Sequence, residues 1–507
     1  MAIGDITPID ADVIIAGIRG DVKMIRKDGS PTFYAVQCDT ANLTTLASAS
    51  VDAAGNIVMN GTSDIANRQG TAGFRAWVNG DIFVFGAADP GYANEMVHTY
   101  SITDAGVITA LIDDQVVRAA SSFRSTLSSH SYRLTNSYLL VYSDSTTPAY
   151  RIQTVQVSDA GAIIGLIDTA TWANAGVGVD QRCSLRWLYG TIYGVAYASS
   201  TRTLRLRTFN VTEWGIITFI ADIELDPAIA GVLNAYVPTM CPLRHPLRFA
   251  CASRRDSDAN IVLYTFEITT AGVPSLIESL VIAPCVGTSG YDIGMEYVTH
   301  DIVVMKWYDS DGAGTSDGWR SIQIDSHGHI GAILFTQTIS APATRHYGYY
   351  IEKHINNIYI EGRARLPVDG GNPHLVTFSV EEDPIVAATV TTLPATGINY
   401  HLGTLNGILT ADGGDALVCG FNWGPTPALG NTVTLPGFFL TGDALTANLT
   451  GLASSTTYWF QAFATGTLGT VTGAILSFTT FNHGPGPAPP APGIGIQVLT
   501  LPATNIY

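Results

Sequence analysis

Residues 157–168 read VSDAGAIIGLID. An apolar strand runs into Val157, the chain turns over Asp159-Ala160-Gly161, and a second apolar strand leaves through Ile163, Ile164, Leu166 and Ile167. Asp and Gly between two apolar runs signal a hairpin, because Gly takes positive φ without a Cβ clash. The same hairpin recurs as SVDAAGNIVMNG at Gly55, SITDAGVITALID at Gly106, NVTEWGIITFIAD at Gly215, ITTAGVPSLIES at Gly272 and IDSHGHIGAIL at Gly328. A degenerate copy, SVEEDPIVAATV, carries Pro384 where the glycine would stand. The anchors are 51, 55, 54, 57, 56 and 56 residues apart, and seven copies at so steady a spacing mean a repeat architecture.

Each repeat carries four strand signals. The second gives GFRAWV, DIFVFGAA, EMVHTYSIT and VITALID; the fourth gives SLRWL, TIYGVAYAS, LRLRTFNVT and IITFIADIEL. Short runs of aromatic and β-branched residues broken by Gly, Asn and Asp mean all-β structure. Seven four-stranded units fit a seven-bladed β-propeller over residues 1–386, each unit burying its faces against its neighbours. A solenoid or a pair of sandwiches is the alternative. The strand near residues 12–17 is expected to complete the last blade and latch the ring. Long loops are expected at 89–94, 143–148, 254–259, 309–318 and 366–373, with a long connection at 170–182, all on one face, where binding usually sits.

Past Val386 the pattern changes. About seven strands fall between residues 387 and 480, which fits an immunoglobulin-like β-sandwich. Its marker is Leu452, Thr456 and Tyr458, followed by Phe460, Ala462 and Ala464 at alternate positions. This resembles a fibronectin type III domain, in which the Tyr hydroxyl bonds back to the chain at a corner. Trp423 is expected as the central core aromatic. Residues 481–495 form a Pro/Gly-rich linker, and 496–507 repeat the TLPAT strand of 390–400, the first strand of a second, truncated sandwich. Pairing of that strand with another subunit is the alternative.

The 507 residues are 46% hydrophobic and 13% charged, with a net charge of −17. So acidic a chain lacks the basic face that nucleic acid or an anionic membrane requires. No Lys or Arg follows Arg365, so the tail offers trypsin-like proteases no site. The first residues lack the basic and apolar segments of a signal peptide, and no run of 18 apolar residues spans a membrane. The six cysteines contain no C-x-x-C pair and mostly sit within apolar strands, as small hydrophobes. Cys241 with Cys251 or Cys285 is the one plausible bridge.

Enzyme motifs are missing: there is no H-E-x-x-H, no G-x-S-x-G and no P-loop. The turns also lack the spacing and Trp of the sialidase Asp box. A carboxylate pair for glycosidic cleavage would show only in three dimensions. The metal candidate is Asp309, Asp311 and Asp317 in a Gly-rich loop, oxygen donors of the kind Ca²⁺ takes; the competing reading is a solvated loop. No other cofactor is expected. His327 and His329 flank a turn glycine and read as exposed turn residues. Among the aromatics, Trp307, Tyr308 and Trp319, with Trp187, either stack on sugar rings or pack between blades.

The whole resembles propeller-plus-fibronectin surface proteins of tailed bacteriophages. The hairpins at Gly106, Gly161 and Gly215, the Asp317-Gly318-Trp319 segment and the TLPAT strand carry that resemblance. It implies a non-enzymatic virion surface protein: a fibre, decoration or tail-tip component in host attachment or particle assembly. The implied partners are other virion proteins, a host surface glycan or protein, and further copies of the chain. Such a protein is assembled in the host cytoplasm and is extracellular after release. A prokaryotic cell-surface or secreted adhesin is the alternative, and a carbohydrate-active propeller enzyme a third.

Overall fold

The computed structural model describes residues 6–482, except 10–12, 15–20, 28–29, 31–32, 40–42, 67–74, 80, 89–93, 104, 120–123, 134–136, 147–148, 174–182, 200–202, 227–237, 256–257, 259, 285–292, 299–300, 311–314, 342–344, 356, 367–372, 382–384 and 416. It contains no helix among these, so none is long and apolar enough to cross a membrane. Two compact units divide the chain, Met1–Asp383 and Pro384–Tyr507.

The first unit is built of antiparallel sheets of four consecutive strands. Sheet one comprises Asp21–Arg26, Phe33–Asp39, Leu43–Val51 and Ile57–Ala66. Sheets two to six repeat this plan, their first strands being Arg75–Asn79, Arg124–Arg133, Cys183–Tyr189, Thr239–Pro242 and Gly294–Val298. Sheet seven contributes only Arg345–Ile355, Ile358–Leu366 and Pro373–Val380 from its own repeat. The N-terminus supplies the rest. Ile6–Pro8 pairs with Phe378 to Val380, and Val13–Ile14 with His374 and Leu375. The first residues of the unit therefore complete its last sheet, as the degenerate seventh repeat requires.

Each turn between third and fourth strands has one construction. The glycines at 55, 106, 161, 215, 272 and 328 have φ between 77° and 91°. Three residues earlier stands Asp52, Thr103, Ser158, Thr212, Thr269 or Asp325, whose side chain accepts an N–H just past the turn, such as Ala162 N–H on Ser158 Oγ at 2.9 Å. Space demands glycine as well. A Cβ at Gly215 would lie 2.9 Å from Ile167 of the preceding sheet, and one at Gly328 would lie 2.6 Å from Ile277.

Burial follows from strand alternation. Apolar cores fill the gaps between consecutive sheets: Leu46 with Phe83, Val84 with Val155, Tyr150 with Tyr197, Leu206 with Tyr264, Leu263 with Val303, and Val304 with Tyr359. One more lies between sheets seven and one, where Ile360 and Leu375 meet Met24 and Tyr34. The order of contact therefore returns to its start.

Three expectations need correction. Several anticipated long loops are largely strand: pairing runs to Thr146 and resumes at Ala149, and runs to Ser310 and resumes at Thr315, because the ladder continues through residues whose composition suggested turns. Cys241 and Cys251 are free and buried; Cys241 belongs to the core between sheets five and six and Cys251 to that between four and five, so they point to opposite faces of one sheet. Cys285 lies outside the described residues.

The second unit pairs Thr389–Thr396, Leu402–Ala411 and Ala444–Thr450 in one sheet, and five strands around Thr457–Gly466 in another. Phe460, Ala462 and Ala464 are fully buried, as their alternation predicts. The Tyr458 hydroxyl accepts the Ala453 N–H at 3.0 Å, closing the expected corner. Trp423 is only partly buried against this core, and the central aromatics are Phe421 and Phe460; this is the third correction. The linker and the last strand fall outside the described residues.

Candidate functional site

Seven residues before each turn anchor stands a hydroxyl: Ser48, Thr99, Thr154, Thr208, Thr265, Ser321 and Thr377. All seven are fully buried on third strands. Four of them donate to the turn-glycine carbonyl of the next sheet: Ser48 to Gly106 (2.6 Å), Thr99 to Gly161 (2.7 Å), Thr154 to Gly215 (2.7 Å) and Thr377 to Gly55 (2.6 Å). Thr208 instead faces its own sheet's Ala221 carbonyl at 3.5 Å, and Thr265 Oγ1 has no hydrogen-bond partner among the described residues.

These hydroxyls mark one row across every sheet. Followed inward to the first strands, the row ends at Ile25, Ala76, His130, Arg186, Cys241, Glu296 and Glu352. Cross-strand neighbours share a face, so Ile25, Ala76, Arg186, Cys241, Glu296 and Glu352 lean toward the following sheet as the hydroxyls do. Two contacts bear this out. The Glu352 carboxylate of sheet seven accepts the Arg26 N–H of sheet one (3.2 and 3.1 Å), and Thr239 of sheet five donates to the Ile293 carbonyl beside sheet six (2.6 Å).

The first strands also converge. Glu296 of sheet six feels Arg186 of sheet four and Arg26 of sheet one, each two sheets away. Burial pushes its carboxyl up to about 7; Arg186 opposes this, Glu352 adds to it, and Lys353 and Arg26 oppose it. Neither the Arg186 nor the Glu296 side chain makes a hydrogen bond or ion pair with a described residue. Both keep some exposure, as does Glu352. Cys241 between them is fully buried, and burial pushes its thiol far above the usual range, so it stays protonated and is no nucleophile.

Beside this group, the Arg26 guanidinium donates to the carbonyls of Lys353 (3.3 Å) and His354 (3.1 Å). His354 is buried, which holds its imidazole below the usual value. Its Nε2 meets the Asp52 carbonyl at 3.0 Å and its Nδ1 the Tyr34 hydroxyl at 3.0 Å. A carbonyl only accepts, so Nε2 carries the proton and Tyr34 donates to Nδ1. The arrangement is a neutral brace between sheets seven and one.

The sequence-chosen residues lie elsewhere. Trp307 is 3% exposed in the core between sheets five and six, with the Arg320 guanidinium 5.3 Å from its ring. Trp319 is 6% exposed between sheets six and seven, with Lys306 Nζ 4.4 Å from its ring centroid and Phe378 edge-on at 4.8 Å. Both occupy packing positions. Trp187 is exposed, its Nε1 donating to the Gly190 carbonyl at 2.9 Å. Tyr308 pairs with Asp317 and Asp309 with Ser316 as strand residues, while Asp311 lies outside the described residues. His327 and His329 are turn residues whose N–H groups bond Asp325. Sequence reasoning missed the inner row. The signal was there in the invariant hydroxyl, but reaching the first strand needs the register of two ladders.

No family model matches the chain, and no curated protein matches it. Solved structures do resemble it. A protein from Lactobacillus plantarum is 16% identical over 63% of this chain and 84% of its own, with a TM-score of 0.41. The WD40 domain of Toxoplasma gondii coronin is 7% identical, covering 76% and 88%, with a TM-score of 0.44. The α-L-arabinanase of Penicillium chrysogenum, complexed with arabinobiose, is 9% identical, covering 75% and 98%, with a TM-score of 0.38. Neighbours of this kind are β-propeller-type folds, and at these identities the likeness concerns the arrangement of sheets alone.

Proposed function

We propose that the first unit is a closed seven-bladed propeller, that the second is a fibronectin type III-like sandwich, and that the protein is a non-enzymatic virion surface component in host attachment or particle assembly. The observation that carries this reading is closure: the chain's own N-terminal strands complete the last sheet, and a buried Thr377–Gly55 bond ties that sheet to the first. A ring closed in this way is a rigid head, and the Lys- and Arg-free sandwich beyond it suits exposure outside a cell. The test is proteomic. The protein should occur in several copies in purified particles from a producing culture. Its presence only in a particle-free secreted fraction would favour an adhesin and remove the virion reading.

A second reading, a carbohydrate-active enzyme, draws on one observation. Glu296 and Glu352 stand at the same row of adjacent sheets, and Glu352 helps to raise the Glu296 carboxyl to about 7. A pair of carboxylates flanking the bond is what glycosidic cleavage uses. This reading requires glycan turnover that disappears in both Glu296→Gln and Glu352→Gln.

A further inference from the structure

We propose that the second unit pairs with a second copy of itself along the edge strand Ala444–Thr450, antiparallel about a twofold axis at Ala447. The pairing concerns this unit alone and stands whether or not the chain is a virion component.

The edge is open and unguarded. Ala444–Thr450 pairs only with Leu402–Ala411, over seven residues without a register shift. The Leu409 N–H donates to the Asp443 carbonyl at 3.0 Å, which sets the alternation. Leu445, Ala447 and Leu449 turn their backbone groups to that neighbour, and Ala444, Thr446, Asn448 and Thr450 turn theirs outward. Edge strands are ordinarily guarded by bulges, prolines, charges or shortness. The other outer edges among the described residues are guarded in this way. In the first unit, third and fourth strands pair through a register shift in each sheet that draws both from one repeat. In the second, Thr389–Thr396 has a register shift and Pro394, and Asn431–Thr434, Gly469–Thr472 and Leu476–Thr479 are four residues each.

The strand's own symmetry names the occupant. Antiparallel about Ala447, Thr446 faces Asn448 of the second copy and Ala444 faces its Thr450, so the outward N–H and carbonyl groups are satisfied along the whole strand. The side chains agree. Thr404 Oγ1 already donates to Asn448 Oδ1 at 2.8 Å across the inner ladder, and the twofold sets exposed Thr446 against Asn448 in the same relation. Leu445 and Leu449, buried on the core side, fall opposite one another and continue the apolar layer. Charge does not oppose the pairing. Beyond Asp383 the only Asp, Glu, Lys or Arg residues are Asp412, Asp415 and Asp443. Each is tied down within its own unit: Asp412 accepts the Gly414 and Thr441 N–H groups (3.2 Å each), Asp415 the Thr467 hydroxyl (2.8 Å) and Asp443 the Leu440 N–H (2.8 Å). Asp443 would face Gly451 of the second copy, not its own counterpart. One strand pair buries less than the roughly 1,200 Å² of a stable complex, so the dimer is weak alone and gains strength where copies are held side by side.

The experiment is sedimentation velocity of the full chain from dilute to near-millimolar concentration. A monomer–dimer equilibrium is expected. Thr446→Lys, on the exposed face, should raise its dissociation constant about tenfold or more by setting like charges on either side of the axis, with the melting transitions unmoved. Register is read by disulfide formation. Thr446→Cys combined with Asn448→Cys should crosslink two copies under mild oxidation, because directly facing residues lie about 5.5 Å apart at Cα. Thr446→Cys alone, whose counterpart lies diagonally across the axis, should not. A monomer at every concentration overturns the proposal, as does a dimer that survives Thr446→Lys or crosslinking by the single variant equal to that of the double. Loss of the dimer in Leu501→Lys would give the edge to the second TLPAT segment and overturn the twofold as well.

Discussion

Thr377 Oγ1 donates a 2.6 Å hydrogen bond to the carbonyl of Gly55, across 322 residues of chain. The same bond joins sheet one to two, two to three, and three to four. The closing junction therefore uses the chemistry of the internal ones.

The hydroxyl row separates two chemically identical substitutions. In Thr154→Val, the buried Gly215 carbonyl loses its donor and the Asp168 N–H loses a 3.2 Å acceptor, which should cost about 1–3 kcal/mol. Thr265→Val removes a buried hydroxyl with no partner and should be neutral or stabilising. Thermal melts of the two variants should rank in that order; equal losses would deny the row its role.

A second row predicts a swap. Asp113, Asp168 and Glu278 each accept the N–H of an isoleucine two residues past the next turn glycine, Ile163, Ile217 and Ile330, at 2.8, 2.8 and 2.9 Å. Between sheets four and five the acid position holds Ala221, and the donor position holds Pro274, which has no N–H. Acceptor and donor are missing together. Pro274→Ile alone should lower the melting temperature, and adding Ala221→Asp should recover it. A double variant no better than the single one would contradict the pairing.

Lys306 and Glu361, 0% and 1% exposed, form a 2.6 Å ion pair between sheets six and seven. Lys306→Met should cost about 3–5 kcal/mol by stranding a buried carboxylate, whereas Lys306→Met with Glu361→Leu should recover most of the loss. Chemical denaturation of the three proteins checks the order.

In the second unit, Tyr458→Phe keeps the ring and removes the acceptor of the Ala453 N–H. A loss of about 1 kcal/mol is expected, with the first unit's transition unmoved. Two-transition calorimetry reads both effects.

The Glu296 carboxyl is raised in the fold, so the folded state holds that proton more tightly than the unfolded chain does. Its contribution to stability is complete below the ordinary glutamate range and is lost as pH rises toward about 7. The charged or titratable groups around it are Arg186, Cys241, Glu352, Lys353 and Arg26. Glu296→Gln should flatten the fall in melting temperature across that window; an unaltered pH slope would show that another group sets it.

Much of the fold was legible because the turn chemistry is local. Gly161 and its counterparts announce themselves by φ, and the period between them gives seven repeats. Phe460, Ala462 and Tyr458 were likewise read from alternation and one corner motif. What failed was inference from composition. Asp309 and Asp317 looked like loop residues, yet the ladder from Tyr308 to Asp317 holds them in strands. For Trp307 and Trp319 the sequence left sugar stacking and packing between blades both open, and packing holds, because a wide apolar ring on a strand between two sheets is drawn into the gap. The inner row stayed hidden because Arg186, Glu296 and Glu352 are isolated in sequence, and only the pairing of three strands per sheet shows that they hold equivalent positions.

Cryo-electron microscopy of the native particle tests the central claim most directly. The account predicts seven blades in a closed ring on the particle surface, with the N-terminal strand in the last blade beside Val380. Particles without this chain, or an open arc with that strand paired elsewhere, would contradict it.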